Sequence, residues 1–246
     1  MEVLRQAEEA RAHLPPAMKT LNVQLDEARA AGLIEMGRYP EAEALLTRAA
    51  ASDRELHWEH TPSYSRNLLM HAHLLNVTGR SDAALETLAA YEVVPIPAGR
   101  VSRPRLDEWI MRSEISLAAG NSGSAGHLAA EARQAVATSP HRPWLALWEA
   151  RAALAEGKAK LLSRDARDAR PLLEQAVALQ KQMLDSASPA LADAEIALSS
   201  CYLALRETEK AAALLRAAKA IYQKHSALSQ HHLKSLAALE NRIRSL

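Results

Sequence analysis

Phenylalanine is missing from this chain of 246 residues, and aromatic residues together make up only 4% of it. A single cysteine, Cys201, rules out an intrachain disulfide framework. That suits a reducing compartment without excluding an oxidising one. No apolar run approaches the roughly 20 residues that cross a bilayer as a helix. Neither sign of charge dominates: 30 basic residues face 29 acidic ones, for a formal net charge of +1. That balance removes any general electrostatic case for nucleic acid or a membrane surface. The opening run MEVLRQAEEARAHL lacks the apolar stretch of a signal peptide, although Met1 as an added start on a fragment would void that inference. Eight glycines and eleven prolines are few enough to act as punctuation between elements.

What is present is Ala, Leu, Arg and Glu, all strong helix formers. Hydrophobic residues at 48% and charged residues at 24% allow a substantial core. The reading is all-α.

Comparing the chain with itself finds a repeat. The run that starts at Gly37 (GRYPEAEALL) has similar runs at Gly79 (GRSDAALETL) and Gly120 (GNSGSAGHLA), with degenerate copies at Arg164 and Arg206. The steps between them are 42, 41, 44 and 42 residues. Five residues past each start lies Ala42, Ala84, Ala125, Ala169 or Ala211. Twelve past lie Ala49, Ala132, Ala176 and Ala218, with Tyr91 the exception. Seven before lie Ala30, Ala72, Ser113, Gly157 and Ser199. Small residues at matched places on two consecutive helices let their backbones approach closely, as a tight helical hairpin requires.

These columns, with Trp109 where the consensus favours Trp, resemble the tetratricopeptide repeat family. The period resembles the longer variety found in kinesin light chains and bacterial signalling proteins. That variety often opens its first helix with Pro, and Pro62, Pro104 and Pro189 stand at matching positions; a first-turn Pro lacks only an N–H that has no partner there. The resemblance covers about residues 17 to 246. It implies an all-α, right-handed solenoid of helical hairpins, with about five repeats and a C-terminal capping helix.

Residues 1–16 then read as an N-terminal helix or linker remnant, and 17–246 as the repeat domain, with the best place for a kink at 95–103. Repeat one ends its second helix near Trp58, the 95–99 break shortens the second helix of repeat two, and repeat four has a first helix about one turn longer than the others. Leu228, Leu236, Leu239, Ile243 and Leu246 form the apolar face of the cap.

No catalytic set assembles. His57 and His60 read as i,i+3 neighbours on one helix, followed by His71 and His73, but nothing completes a metal site, so no metal or other cofactor is assigned. Cys201 reads as a buried thiol. Arg100, Arg103 and Arg105, like Arg164, Arg167 and Arg170, have acidic neighbours in sequence and read as solvated turns.

The resemblance further implies that the first helix of each repeat lines a groove. Carried over by column, the groove holds Gln24, Glu27, Ala31 and Ile34; Arg66, Leu69, His73 and Asn76; and Asp107, Ile110, Glu114 and Leu117. Repeat four adds Arg151, Leu154, Lys158 and Leu161, and repeat five adds Asp193, Ile196, Ser200 and Leu203. A Lys/Asn/Arg clamp for a terminal carboxylate is not among these columns. A strip of Leu and Ile beside mixed charges suits an extended segment or helix with apolar anchors; the alternative is that the strip packs against the array or a second copy. The expected partner is therefore a protein or peptide, with no direct nucleic-acid contact and no membrane contact by this segment, and with a homodimer as a further arrangement. The expected role is the regulatory or sensory region of a bacterial signalling protein, such as a serine/threonine kinase or transcription regulator, with a free-standing scaffold as the alternative and a helical metal-dependent hydrolase as a remote one. Location defaults to the cytoplasm, or to the periplasm if the parent is a membrane kinase.

Overall fold

A computed structural model describes residues 19–58, 60–91, 101–140 and 143–244. The expected N-terminal helix, the 95–99 break and Leu246 lie outside them. Among the described residues there are eleven α-helices and no strand. They are α1 (Lys19–Glu35), α2 (Tyr39–Glu55), α3 (Pro62–Val77), α4 (Ser81–Ala89), α5 (Arg103–Ala118) and α6 (Ser122–Ala137), then α7 (Leu145–Leu162), α8 (Ala166–Met183), α9 (Pro189–Ala204), α10 (Thr208–Tyr222) and α11 (Gln230–Arg244). The chain divides into two compact units, Met1–Val94 and Pro95–Leu246. In the first, α1 pairs with α2 and α3 with α4. In the second, α5/α6, α7/α8 and α9/α10 are hairpins, and α11 packs on α9 and α10.

Each hairpin turns in the same way. Gly37, Gly79, Gly120, Arg164 and Arg206, the five residues that mark the repeat, all have left-handed backbone, with φ of 73°, 82°, 77°, 64° and 63°. Around each, two amides cap the preceding helix. Gly37 N–H donates to the Ile34 carbonyl and Arg38 N–H to that of Leu33, at 3.0 and 2.8 Å. At the fourth turn Arg164 N–H donates to Leu161 and Asp165 N–H to Lys160, at 3.0 and 2.9 Å. This is a Schellman closure, which satisfies carbonyls a helix end would otherwise leave open. The next residue starts the second helix: the Asn121 and Asp165 side chains accept the amides of Ser124 and Asp168.

The small columns are the hairpin seams. Ala30, Ala72, Ser113 and Ser199 are fully buried, as are Ala42, Ala84, Ala125, Ala169 and Ala211 opposite them. Where the first column carries Ser, its hydroxyl donates across the seam: Ser113 Oγ to the Ala125 carbonyl at 2.8 Å and Ser199 Oγ to that of Ala211 at 2.7 Å. Gly157 uses the seam differently. A Cβ there would sit 2.6 Å from Cγ of Leu173, so the glycine makes the space that this fully buried leucine fills.

Helix starts follow the proline signal. Pro62 and Pro189 open α3 and α9, and Pro104 is the second residue of α5; Thr61 caps α3 and Ser102 caps α5, accepting the amides of Tyr64 and Arg105. α4 has nine residues, the shortened helix expected before the break. Two expectations need correction. The first helix of repeat four has 18 residues against 16 in α3, α5 and α9, an excess of two residues rather than a turn, because it starts at Leu145. And α2 ends at Glu55, where His57 takes φ 57° and Trp58 N–H closes onto the Asp53 carbonyl at 2.8 Å. His57 and His60 therefore share no helix, a Schellman closure having formed without the glycine that usually announces one.

Candidate partner-binding surface

The first helices of neighbouring hairpins contact one another within each unit: α1 with α3 in the first, and α5 with α7 and α7 with α9 in the second. The positions read as a groove therefore do lie on adjacent helices. Their fates differ. Ile110 is fully buried in a cluster with Leu106, Ala132, Val136, Leu145 and Ala152, and Ile196 belongs to the core around α9 and α10. Neither is within a partner's reach. Ile110 packs between α6 of its own hairpin and α7 of the next, and Ile196 lies in the core that α9 and α10 share with α11, because a first helix must cover two neighbours and its apolar stripe is wide.

Several groove charges are already matched within the protein. Arg66 Nε donates to Glu27 Oε2 at 2.6 Å. Burial raises the Glu27 carboxyl above its ordinary range, with the Arg66 hydrogen bond and charge opposing that rise. His73 Nε2 lies 4.0 Å from Glu35 Oε1, and Ser81 Oγ donates to Asn76 Oδ1 at 3.3 Å. Asp107 Oδ1 accepts both Arg151 Nη1 at 2.6 Å and the indole Nε1–H of Trp148 at 3.1 Å. Asp193 serves the cap: it accepts the Tyr222 hydroxyl and lies 3.0 Å from Nδ1 of His232, a buried residue of α11.

One column of the second unit is partly open and polar. Glu114 on α5, Lys158 on α7 and Ser200 on α9 are half-buried, with Leu117 beside Glu114. Among the described residues, none of the three side chains has a hydrogen-bond or ion-pair partner. In the first unit Leu69 is half-buried on α3.

No protein-family model and no curated protein matches the chain. Solved structures do. One is a crystal structure of a Podosopora anserina protein described as a kinesin light chain with nearly identical TPR-like repeats. At 20% identity it covers 84% of this chain and 99% of its own, with a TM-score of 0.56. A form of that protein carrying one glutamine-to-methionine substitution gives 21% identity, 82% and 96% coverage, and a TM-score of 0.57. The fold is TPR-like.

The other chemistry considered in the sequence lies apart from the open column. Cys201 Sγ donates to the Ala166 carbonyl at 3.2 Å, and burial pushes its thiol up to about 11. Among the described residues, no three of His, Cys, Asp and Glu are disposed to hold a metal ion. No described helix is long and apolar enough to cross a membrane. The sequence reading missed Trp144 and Trp148, whose rings meet edge to face at 5.3 Å and 86° beside Asp107. Three tryptophans within forty residues of a chain with four in all were the available signal.

Proposed function

We propose that the chain is a binding module for an extended protein segment, gripped on the first helices of its hairpins. The observation that carries this reading is the column Glu114, Lys158 and Ser200: three consecutive first helices each present a polar side chain that no partner among the described residues satisfies. Leu117 beside it supplies apolar contact, and the repeat places such a group once per hairpin, a spacing suited to an extended ligand. Asp107, Arg151 and Asp193 shape the walls beside this column instead of making the first contacts, and no catalytic residue is assigned.

Photo-crosslinking tests it. A photoreactive residue placed at 117, 158 or 200 should form discrete polypeptide adducts in a cell extract, while one at the exposed second-helix positions 131 or 216 should form none. Adducts from 131 or 216 alone would move the binding face to the other side of the hairpins.

For cellular role, the 42-residue period and the Ala/Arg-rich composition support the regulatory or sensory region of a larger bacterial signalling protein. The crosslinked polypeptide decides this: one polypeptide belonging to a kinase or transcription regulator fits that role, whereas two unrelated polypeptides held together fit a scaffold.

A further inference from the structure

At the start of α5 one cation has been left without an anion. Arg103, exposed on the first turn, stands with its guanidinium carbon 4.9 Å from the ring centre of Trp144 and 5.2 Å from that of Trp148. Among the described residues it has no carboxylate partner. The acids on the same helix ends are engaged elsewhere. Asp107 is held by Trp148 and Arg151, Glu108 by Arg105 and Arg112 at 2.9 Å each, and Glu149 by Gln175 of α8. Even Asp107, one turn further along the same helix, pairs with α7 rather than with Arg103.

The setting is fixed as well as cationic. The Asp107 bond locks the indole of Trp148, Trp148 sets Trp144 at a right angle, and the two rings hold the guanidinium by cation–π attraction. A guanidinium has five N–H donors and cation–π contact uses up its charge only in part, so a carboxylate can still take parallel hydrogen bonds from it. Since the side chain is already ordered, less rotamer freedom is lost on binding.

Resting on the peptide-binding reading above, we infer that Arg103 with Trp144 and Trp148 is a subsite for an Asp or Glu side chain of the bound segment. The indole faces left uncovered take the apolar residue next to that acid. The subsite lies on the same pair of first helices, α5 and α7, that carry Glu114 and Lys158.

The test is an NMR titration of the full 15N-labelled chain, following the Arg103 Nε–H and the Trp144 and Trp148 indole N–H signals. The probes are acetyl-Ala-Asp-Leu-Asp-Ala-amide and its Asn counterpart, neither with a terminal carboxylate. Expected are saturable shifts with the Asp peptide, about tenfold weaker binding with the Asn peptide, and loss of the difference in Arg103→Gln but not in Arg216→Gln. Equal affinity for both peptides, or an unchanged Asp preference in Arg103→Gln, would overturn the subsite. If the amides of Leu117, Lys158 and Ser200 shift while Arg103 does not, the subsite falls and the peptide-binding reading stands.

Discussion

The first three hairpins and the last two make the same turn with different residues. In the first three a glycine takes the left-handed position; in the last two an arginine does, with φ within about 20° of the glycines'. A side chain there costs roughly 1–2 kcal/mol, because its Cβ crowds the backbone. Room is not the constraint, since a Cβ built on Gly79 or Gly120 meets nothing within 4 Å. The cost is conformational, so the turn is imposed by what flanks it: the two capping amides and the closed seam of small residues. A cation just beyond the end of α7 or α9 also lies at the negative end of the helix dipole, which offsets part of the strain. Turn geometry therefore belongs to the hairpin, and glycine is its easiest occupant.

If the seam imposes the turn, loosening it should hurt most in the fourth hairpin. Leu173→Ala empties the space that Gly157 makes and should cost about 2–5 kcal/mol in a denaturant melt. A loss under about 1 kcal/mol would mean the seam collapses around the gap and holds Arg164 only weakly. Overfilling is the complementary break. Ala42→Leu in a glycine hairpin and Ala211→Leu in an arginine hairpin should each cost about 1–3 kcal/mol, while Glu43→Leu, exposed beside Ala42, should change the melt by less than about 0.5 kcal/mol. A greater cost at Glu43 than at Ala42 would shift the register by one residue.

The smallest effect is a pH dependence that His71 of the first unit sets near neutrality. Burial holds the His71 imidazole below its ordinary range, against the hydrogen bond with the Leu46 backbone and the charge of Glu43. The unfolded chain then takes up the proton first as pH falls. The stability owed to neutral His71 is present above about 6.5 and is lost as pH drops through the folded-state value. Glu27, whose folded value is raised, runs the other way: its contribution is present below about 4.5 and is lost as pH rises. Melts at several pH values between about 7.5 and 5.5 should show a shallower acid loss in His71→Gln than in the parent. An unchanged slope would put His71 in contact with water.

These contrasts also mark how far the sequence could be read. The repeat phase was legible at every hairpin, including the two with arginine, because the Ala columns kept step where the glycine failed. The second-helix end near Trp58 was not, since a histidine marks a left-handed residue far more weakly than a glycine does. The open surface was legible only in part. Ile110 and Leu117 occupy groove columns seven residues apart on α5, yet Ile110 is buried by the next hairpin and Leu117 is not. Which neighbour covers a position depends on how successive hairpins pack, and a single-helix pattern does not contain that. Asp107 and Asp193 looked alike in sequence; one became the anchor for Trp148 and Arg151, the other the latch for α11.

One pair of double variants bears most directly on the claim that the hairpin sets its own turn. Arg164→Gly with Arg206→Gly should raise the melting free energy by about 1 kcal/mol per site, and Gly79→Arg with Gly120→Arg should lower it by a similar amount. Opposite signs of comparable size are the expected result. A loss in both would mean that Arg164 and Arg206 are held by contacts of their own, and that the five turns are not one structure repeated.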